Sequence, residues 1–102
     1  MKLWIDDKRK APEGWMHAKT AAEAIGWLKS GDSITHISFD HDLGEGNGDG
    51  HDVVCVVEEL VHGRRMKMPE MTVHSSNPVG AKRIQQAIDA IKRRRGGLQE
   101  SG

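Results

Sequence analysis

The chain has 102 residues, a length that suits one domain with a modest hydrophobic core. Its 15 basic and 15 acidic residues give a formal net charge of zero, so overall charge makes no case for binding to DNA or to a membrane surface. The single cysteine, Cys55, excludes an internal disulfide, and no apolar run approaches the roughly 20 residues that a membrane span needs. The chain also begins with a strand-like segment rather than a leader sequence, and these features together predict a cytoplasmic protein.

The hydrophobic pattern predicts strands and helices in alternation. In chain order it indicates strand 2–5, a polar loop 8–14, strand 15–19, a helix from Thr20 to near Gly31, strand 35–39, a helix over 52–62, strand 71–74 and a helix from Asn77-Pro78. The segment 52–62 contains a β-branched run that would also suit a strand, but its length and the Gly63 stop favour a helix, with Cys55 buried inside it. Residues 1–95 are expected to form the domain and residues 96–102 a flexible tail.

Alternation of this kind is typical of an α/β domain with a mainly parallel sheet. Each predicted strand has one apolar face and one mixed face; Leu3 and Ile5, for example, alternate with Lys2 and Trp4. Since parallel strands buried on both faces are usually apolar throughout, we expect a two-layer domain with its three helices mainly on the apolar face. On the mixed face, Trp4 and Trp15 are expected to pack under the 8–14 loop; a homodimer interface and a stacking platform for bases are the alternatives.

Polar residues follow three of the four predicted strands, at the edge where parallel sheets bind ligands. They are Asp6, Asp7 and Arg9 after the first strand, Asp40, His41 and Asp42 after the third, and His74 at the end of the fourth, followed by Ser75, Ser76 and Asn77. Clustered carboxylates repel one another and need a proton or a cation, and Mg²⁺ or Mn²⁺ suits them beside a phosphate group. The helix that starts at Pro78 would point free N–H groups at the same edge.

We therefore predict a cation site next to an anion site. The predicted metal ligands are Asp6, Asp7, Asp40 and Asp42, and the predicted phosphate-binding residues are Arg9, Ser75, Ser76 and Asn77. Asp40, His41 and His74 are the candidate catalytic residues, with one histidine as general acid. Taken singly, each group also fits a solvated turn or a helix cap. A zinc site of His41, His51 and His74 with Asp40 or Asp42 is an alternative, although no tight ligand spacing supports it.

The acidic pair, the Asp after the third strand and the Ser after the fourth resemble the receiver domain of two-component signalling. In finer detail the chain is similar to the cyclic-phosphate processing receiver-like domain. The matching segments are Leu3-Trp4-Ile5-Asp6-Asp7 with Arg9, Lys19-Thr20-Ala21 with Glu23-Ala24-Ile25, Asp40-His41-Asp42-Leu43-Gly44, and His74-Ser75 with Asn77-Pro78 and Gly80. The resemblance extends to about Ile91. It implies a receiver-like strand order 2-1-3-4, metal binding by Asp6 and Asp7, a central role for Asp40 and a phosphate contact from Ser75.

The chain departs from ordinary receivers because its first helix is reduced to a loop and the fifth strand and helix, with their lysine, are absent. His51 stands where the similar domains have an aromatic residue. The leading hypothesis is a metal-dependent domain that processes cyclic nucleotide or RNA-end phosphates. The alternatives are a non-catalytic module that binds phosphate or a metal, or dimerises through the mixed sheet face, and a true phosphoacceptor receiver.

Overall fold

A computed structural model describes the backbone of residues 1–101 and the side chains of residues 1–94. Within that backbone the chain forms four strands and three helices, in the order that the hydrophobic pattern predicts. They are β1 (Lys2–Ile5), β2 (Trp15–Ala18), α1 (Ala21–Lys29), β3 (His36–Phe39), α2 (Gly50–His62), β4 (Glu70–Val73) and α3 (Pro78–Ser101).

The four strands form one parallel sheet in the order β2-β1-β3-β4. Leu3 is level with Met16 on one side and with Ile37 on the other, and Ile37 is level with Met71. Residues at the same level point to the same face of a sheet, so the apolar positions of neighbouring strands share one side. The predicted parallel sheet and the strand order 2-1-3-4 are confirmed.

The hydrophobic core lies between this apolar face and the three helices. Its strand members are Leu3, Ile5, Ala18, Ile37, Phe39 and Met71, and each helix contributes fully buried side chains to the same cluster, including Ala24, Val57 and Ile88. Burial of these side chains is the main favourable contribution to folding. The prediction that the helices pack on the apolar face is confirmed.

The opposite face of the sheet carries no helix from the described part of the chain, and we call it the helix-free face. Strand β2 lies on the other side of β1 from β3, so a right-handed connection from β1 to β2 crosses this face. That connection is the loop 6–14, and the Trp4 indole Nε1 donates a hydrogen bond of 3.2 Å to the carbonyl oxygen of Arg9 within it. Trp4 therefore packs against the loop, as expected from the sequence.

Two features of α2 differ from the sequence-based expectation. The helix begins at Gly50 with Asp49 as its N-cap, and Asp52 is the reciprocal partner in a capping box rather than the first residue. The prediction that Cys55 is buried is wrong, because Cys55 is exposed. Val53, Val54 and Val57 face the core instead, and Cys55 falls between them on the outer side of the helix.

Helix α3 continues to Ser101, so the tail expected over residues 96–102 falls on the end of this helix and on Gly102, which lies outside the described residues. The flexibility of that segment stays a prediction. Among the described residues, no helix combines the length and the apolar character needed to cross a membrane.

We predict opposite effects of alanine at two glycines. A methyl group at Gly50 would collide with the carbonyl oxygen of Asp40 and lie 2.8 Å from Ile84 Cδ1, whereas a methyl group at Gly26 in α1 meets nothing within 4 Å. Gly50→Ala should lower the free energy of unfolding by about 1–3 kcal/mol through overpacking. Gly26→Ala, the matched control, should raise it by about 0.4–1 kcal/mol. Urea denaturation measures both, and an unchanged stability for Gly50→Ala would contradict the close contact between Gly50 and the backbone of Asp40.

Candidate functional site

The register of the sheet brings three polar side chains together at its carboxyl edge. Asp6, Asp40 and His74 directly follow the last residues of β1, β3 and β4, respectively. The backbone hydrogen bonds of the sheet continue at these positions, because Asp40 N donates to Ile5 O and His74 N donates to Phe39 O, both at 2.9 Å. Side chains alternate along a strand, so all three point to the helix-free side. One ligand atom from each lies within 4.8 Å of the others. We call Asp6, Asp40 and His74 the edge cluster.

Asp6 is the buried member of the edge cluster, with 1% of its surface exposed. Its Oδ1 accepts hydrogen bonds from the backbone N–H groups of Lys8 and Arg9, at 2.8 and 2.9 Å, and its Oδ2 accepts from Nε2 of His74 at 3.0 Å. Burial by itself would raise the pKa of Asp6, but the N–H donors of Arg9 and Lys8 and the His74 ring outweigh it and lower the pKa below its usual value. Asp6 is therefore an ionised, acceptor-only group.

His74 is held at one face of its ring, at both ring nitrogens and at its backbone. The Trp4 indole stacks on it at a centroid distance of 3.8 Å and an angle of 7° between planes. Its Nδ1 lies 2.7 Å from Ser38 Oγ, and Arg9 Nη1 donates to its carbonyl oxygen at 2.9 Å. Burial lowers the pKa of His74 below its usual value, even though Asp6 and Asp40 oppose that shift. The ring is therefore neutral at neutral pH.

Asp40 is the member of the edge cluster whose carboxylate accepts no hydrogen bond from the described residues. It is half-buried, and within residues 1–94 no side chain or backbone group donates a hydrogen bond to it. Two carboxylates beside a neutral imidazole make a net negative site that attracts a cation. The two carboxylates fit a divalent metal ion such as Mg²⁺ or Mn²⁺.

Asp7 and Asp42, the other two predicted metal ligands, are not part of the edge cluster. Asp7 follows Asp6 directly and points away from it, so that a methyl group at Gly44 would lie 3.4 Å from Asp7 Oδ2. Asp42 accepts hydrogen bonds from Asn77 Nδ2 at 3.1 Å and pairs with His41 Nδ1 at 2.9 Å. Asp7 is one position out of phase with Asp6, whereas Asp42 lies two positions beyond Asp40 and contacts Asn77 and His41 instead of the edge cluster.

His41 lies on the helix side of the sheet rather than in the edge cluster. Its ring packs against Gly80 in the first turn of α3, where any side chain would collide with it, and its Nε2 is 3.7 Å from Asp49 Oδ2. His51 lies on α2 with its Nδ1 at 3.8 Å from Cys55 Sγ. Within the described residues, the structure thus does not assemble the zinc set of three histidines, and of the two candidate acids it brings His74 next to the carboxylates.

The predicted phosphate-binding residues lie around the start of α3 and on the 6–14 loop. Asn77 is the N-cap of α3: its Oδ1 accepts from Gly80 N at 3.1 Å while its Nδ2 is used by Asp42. Ser75 Oγ accepts from Asn77 N at 3.1 Å and keeps its own hydroxyl proton to donate, and Ser76 is exposed. Arg9 uses one of its five N–H donors on His74 and is otherwise exposed. Their contact with phosphate stays a prediction.

Two residues around the edge cluster were assigned no such role from the sequence: Ser38, which contacts His74, and Trp4, which stacks on it. Both belong to the mixed strand face, and the period-2 alternation already placed them on the same side as Asp6 and Asp40. Ser38 is only 4% exposed. A serine on the helix-free face gives no sequence signal of such burial.

The lowered pKa of His74 predicts a pH-dependent stability. The unfolded chain takes up a proton at this histidine near pH 6.5, whereas the folded chain does so only at lower pH. The His74 contribution to the free energy of unfolding is thus fully present above about pH 6.5 and declines as the pH falls below it. Urea denaturation at about pH 7.5 and about pH 5.5 measures this decline.

His74→Gln should flatten the pH dependence, because glutamine keeps an N–H for Asp6 and does not titrate. His36→Gln is the matched control, since His36 lies at the opposite end of β3 from the edge cluster. Equal pH dependence in His74→Gln and in the wild-type protein would contradict the burial of a neutral ring.

Comparison with known proteins gives one family. Residues 1–90 match the family described as the cyclic-phosphate processing receiver domain, and the match includes all four strands, α1, α2, the first turns of α3 and every residue of the edge cluster. No curated protein and no solved structure matches the chain. Because the matched segment covers most of the 102 residues, the chain belongs to the cyclic-phosphate processing receiver domain family.

Proposed function

We propose that this domain is a metal-dependent phosphoesterase that opens cyclic phosphates of the 2′,3′ type on nucleotides or RNA ends. The observation that carries the proposal is the edge cluster, in which one carboxylate oxygen from each of Asp6 and Asp40 and one ring nitrogen of His74 lie within 4.8 Å of one another. The family description, which links this kind of receiver to cyclic-phosphate processing, supports the choice of substrate class.

In this proposal Asp6 and Asp40 hold Mn²⁺ or Mg²⁺. When bound, the ion would supply Lewis-acid chemistry at a phosphate oxygen. The Asp40 carboxylate has no protein donor to give up among the described residues, whereas Asp6 is fixed in place by two backbone N–H groups. Asp6 would thus be a ligand that is fixed in place before the ion binds, and Asp40 would be a ligand that gives up no protein hydrogen bond when it binds.

The remaining residues of the edge would hold and protonate the substrate. Arg9, with four N–H donors to spare, and the Ser75 hydroxyl would contact phosphate oxygens beside the start of α3. Water adds to phosphorus and releases one proton to the solvent, the bond from phosphorus to one ribose oxygen breaks, and that oxygen takes a proton from the protein. His74 is the general acid, because its Nε2–H faces the edge cluster and the Trp4 ring shields it from bulk water.

Phosphorus NMR of a 2′,3′-cyclic nucleotide with the purified protein and Mn²⁺ tests this function. We expect opening to one monophosphate isomer, lost when the metal is removed by a chelator and lost in Asp40→Asn. The Asn variant should fold, because it removes a carboxylate that repels Asp6. Asp32→Asn, in the exposed loop after α1, is the matched control and should keep wild-type turnover. Turnover that survives in Asp40→Asn would exclude Asp40 as a metal ligand.

The choice of His74 as acid predicts a difference between histidines. His74→Gln should lower kcat by about 100- to 10,000-fold, the usual range for a lost general acid. His36→Gln should leave kcat unchanged, because His36 lies at the amino end of the sheet. The alternative acid, His41, is tested by alanine at both His41 and His74: full activity in that double variant would exclude both residues.

A second candidate function is a binding module that dimerises through the helix-free face. The observation that favours it is a group of partly exposed side chains on this face, where Lys2 Nζ lies 5.7 Å from the Trp15 ring centre and His36 packs edge-on against Trp15 at 6.3 Å. Analytical ultracentrifugation distinguishes the two: a stable dimer that Trp15→Ala dissociates, together with no turnover, would favour the binding module.

A further inference from the structure

A chain of hydrogen bonds crosses the helix-free face and ends at Asp6. Thr72 Oγ1 donates to Ser38 Oγ over 3.2 Å, Ser38 Oγ lies 2.7 Å from His74 Nδ1, and His74 Nε2 lies 3.0 Å from Asp6 Oδ2. Ser38 and Thr72 are level with each other in β3 and β4. Thr72 is exposed and Ser38 is 4% exposed, so the chain leads from solvent to a buried carboxylate.

The hydrogen bonds of this chain can point in only one direction in the free protein. Ser38 Oγ accepts from Thr72 Oγ1, so the proton of the Ser38 hydroxyl is left for His74 Nδ1, which accepts it as a bare nitrogen. A neutral ring whose Nδ1 accepts carries its proton at Nε2, and Nε2 donates to Asp6 Oδ2. Every group in the chain is then satisfied by the next one.

The sequence Ser38–His74–Asp6 has the composition of a hydrolase triad, but its burial excludes that use. A nucleophilic serine must reach the substrate, whereas Ser38 is almost fully buried beside the stacked rings of Trp4 and His74. Ser38 instead contacts the ring nitrogen that points away from the edge cluster. Its place in the fold is therefore behind the general acid rather than in front of it.

We propose that Ser38 and Thr72 form a proton relay that supplies His74 Nδ1 while the Nε2 proton passes to the leaving ribose oxygen. This inference rests on the proposed function. As the Nε2–H bond breaks and the ribose O–H bond forms, the Ser38 O–H bond breaks and an Nδ1–H bond forms. Ser38 is replenished from Thr72, and Thr72 from a water molecule at the surface. The hydroxide left there is neutralised by the proton that the attacking water releases.

The relay answers a difficulty that the geometry of His74 creates. A neutral imidazole that gave up its Nε2 proton without receiving another would be left as an imidazolate, which is a very unfavourable anion next to Asp6 and Asp40. Proton supply at Nδ1 keeps the ring neutral throughout, and the ring ends as the other tautomer. Ser38 and Thr72 are positioning and relay residues, since neither touches the substrate.

Nitrogen NMR of the histidine rings in the metal-free protein tests the direction of the chain without any activity. We expect His74 with a protonated Nε2 and with an Nδ1 resonance displaced by an accepted hydrogen bond. In Ser38→Ala the Nδ1 resonance should move to the position of an unbonded ring nitrogen while Nε2 stays protonated. A wild-type ring protonated at Nδ1, or an Nδ1 resonance that Ser38→Ala does not move, would overturn the proposal.

Kinetic measurements use the matched pair Thr72→Val and Thr72→Ser, because Thr72 is exposed. Valine keeps the size of the threonine side chain, and serine keeps its hydroxyl. Ser38→Ala and Thr72→Val should lower kcat by about 10- to 100-fold with little change in KM, the loss usual for partners that orient an active-site histidine. Thr72→Ser should restore wild-type kcat. Wild-type rates in Ser38→Ala and Thr72→Val would overturn the relay.

The two proposals fail in different ways. If the wild-type protein opens no cyclic phosphate with any metal, the proposed function fails and the relay has no proton transfer to serve, whatever the nitrogen spectra show. If the wild-type protein is active but Ser38→Ala keeps its full rate, the proposed function stands and the relay alone is wrong.

Discussion

The parallel register between β1, β3 and β4 is the constraint on which the rest of the site depends. Ile5, Phe39 and Val73 occupy one level of the sheet, so the next residue on each strand, Asp6, Asp40 or His74, lies at the next level and on the opposite face. A slip of one residue on any strand would turn its polar side chain into the helix layer and expose its apolar set. The hydrophobic core therefore fixes the edge cluster as well as the fold, because the same alternation aims apolar residues at the helices and polar residues away from them.

The electrostatics of the edge cluster follow from unequal support for its two carboxylates. Asp6 is buried but accepts two backbone hydrogen bonds from the turn at Lys8 and Arg9, so its charge is stabilised by the protein itself. Asp40 has no such donor among the described residues and leaves its charge to be neutralised from outside. The Asp6 carboxylate is thus held by the protein itself, and the Asp40 carboxylate is accessible to a cation.

The short β1–β2 connection completes the site from the uncovered side. Where a helix would cover the sheet in an ordinary α/β fold, the loop 6–14 contributes Arg9, which accepts from the Trp4 indole through its carbonyl oxygen and donates to His74 through its guanidinium. Trp4 then stacks on His74. The loss of a helix on this face leaves His74 and Ser38 protected by one tryptophan and one loop, and it leaves Thr72 at the surface.

The sequence by itself determined the fold class, the strand order through its family resemblance, and the edge of the sheet at which Asp6, Asp40 and His74 would meet. These follow from local signals: the period of apolar residues, the caps at Thr20 and Asn77, and the rule that parallel strands present their carboxyl ends together. The sequence grouped Asp7 and Asp42 with the metal ligands because neighbouring residues look equivalent in a one-dimensional pattern. Only the tertiary structure separated them from the edge cluster, set His41 beneath α3, and joined Ser38 and Thr72 to His74. The physical reason is that side-chain direction and cross-strand level are properties of the paired sheet, and residues 34 to 68 positions apart become neighbours only when the strands pair.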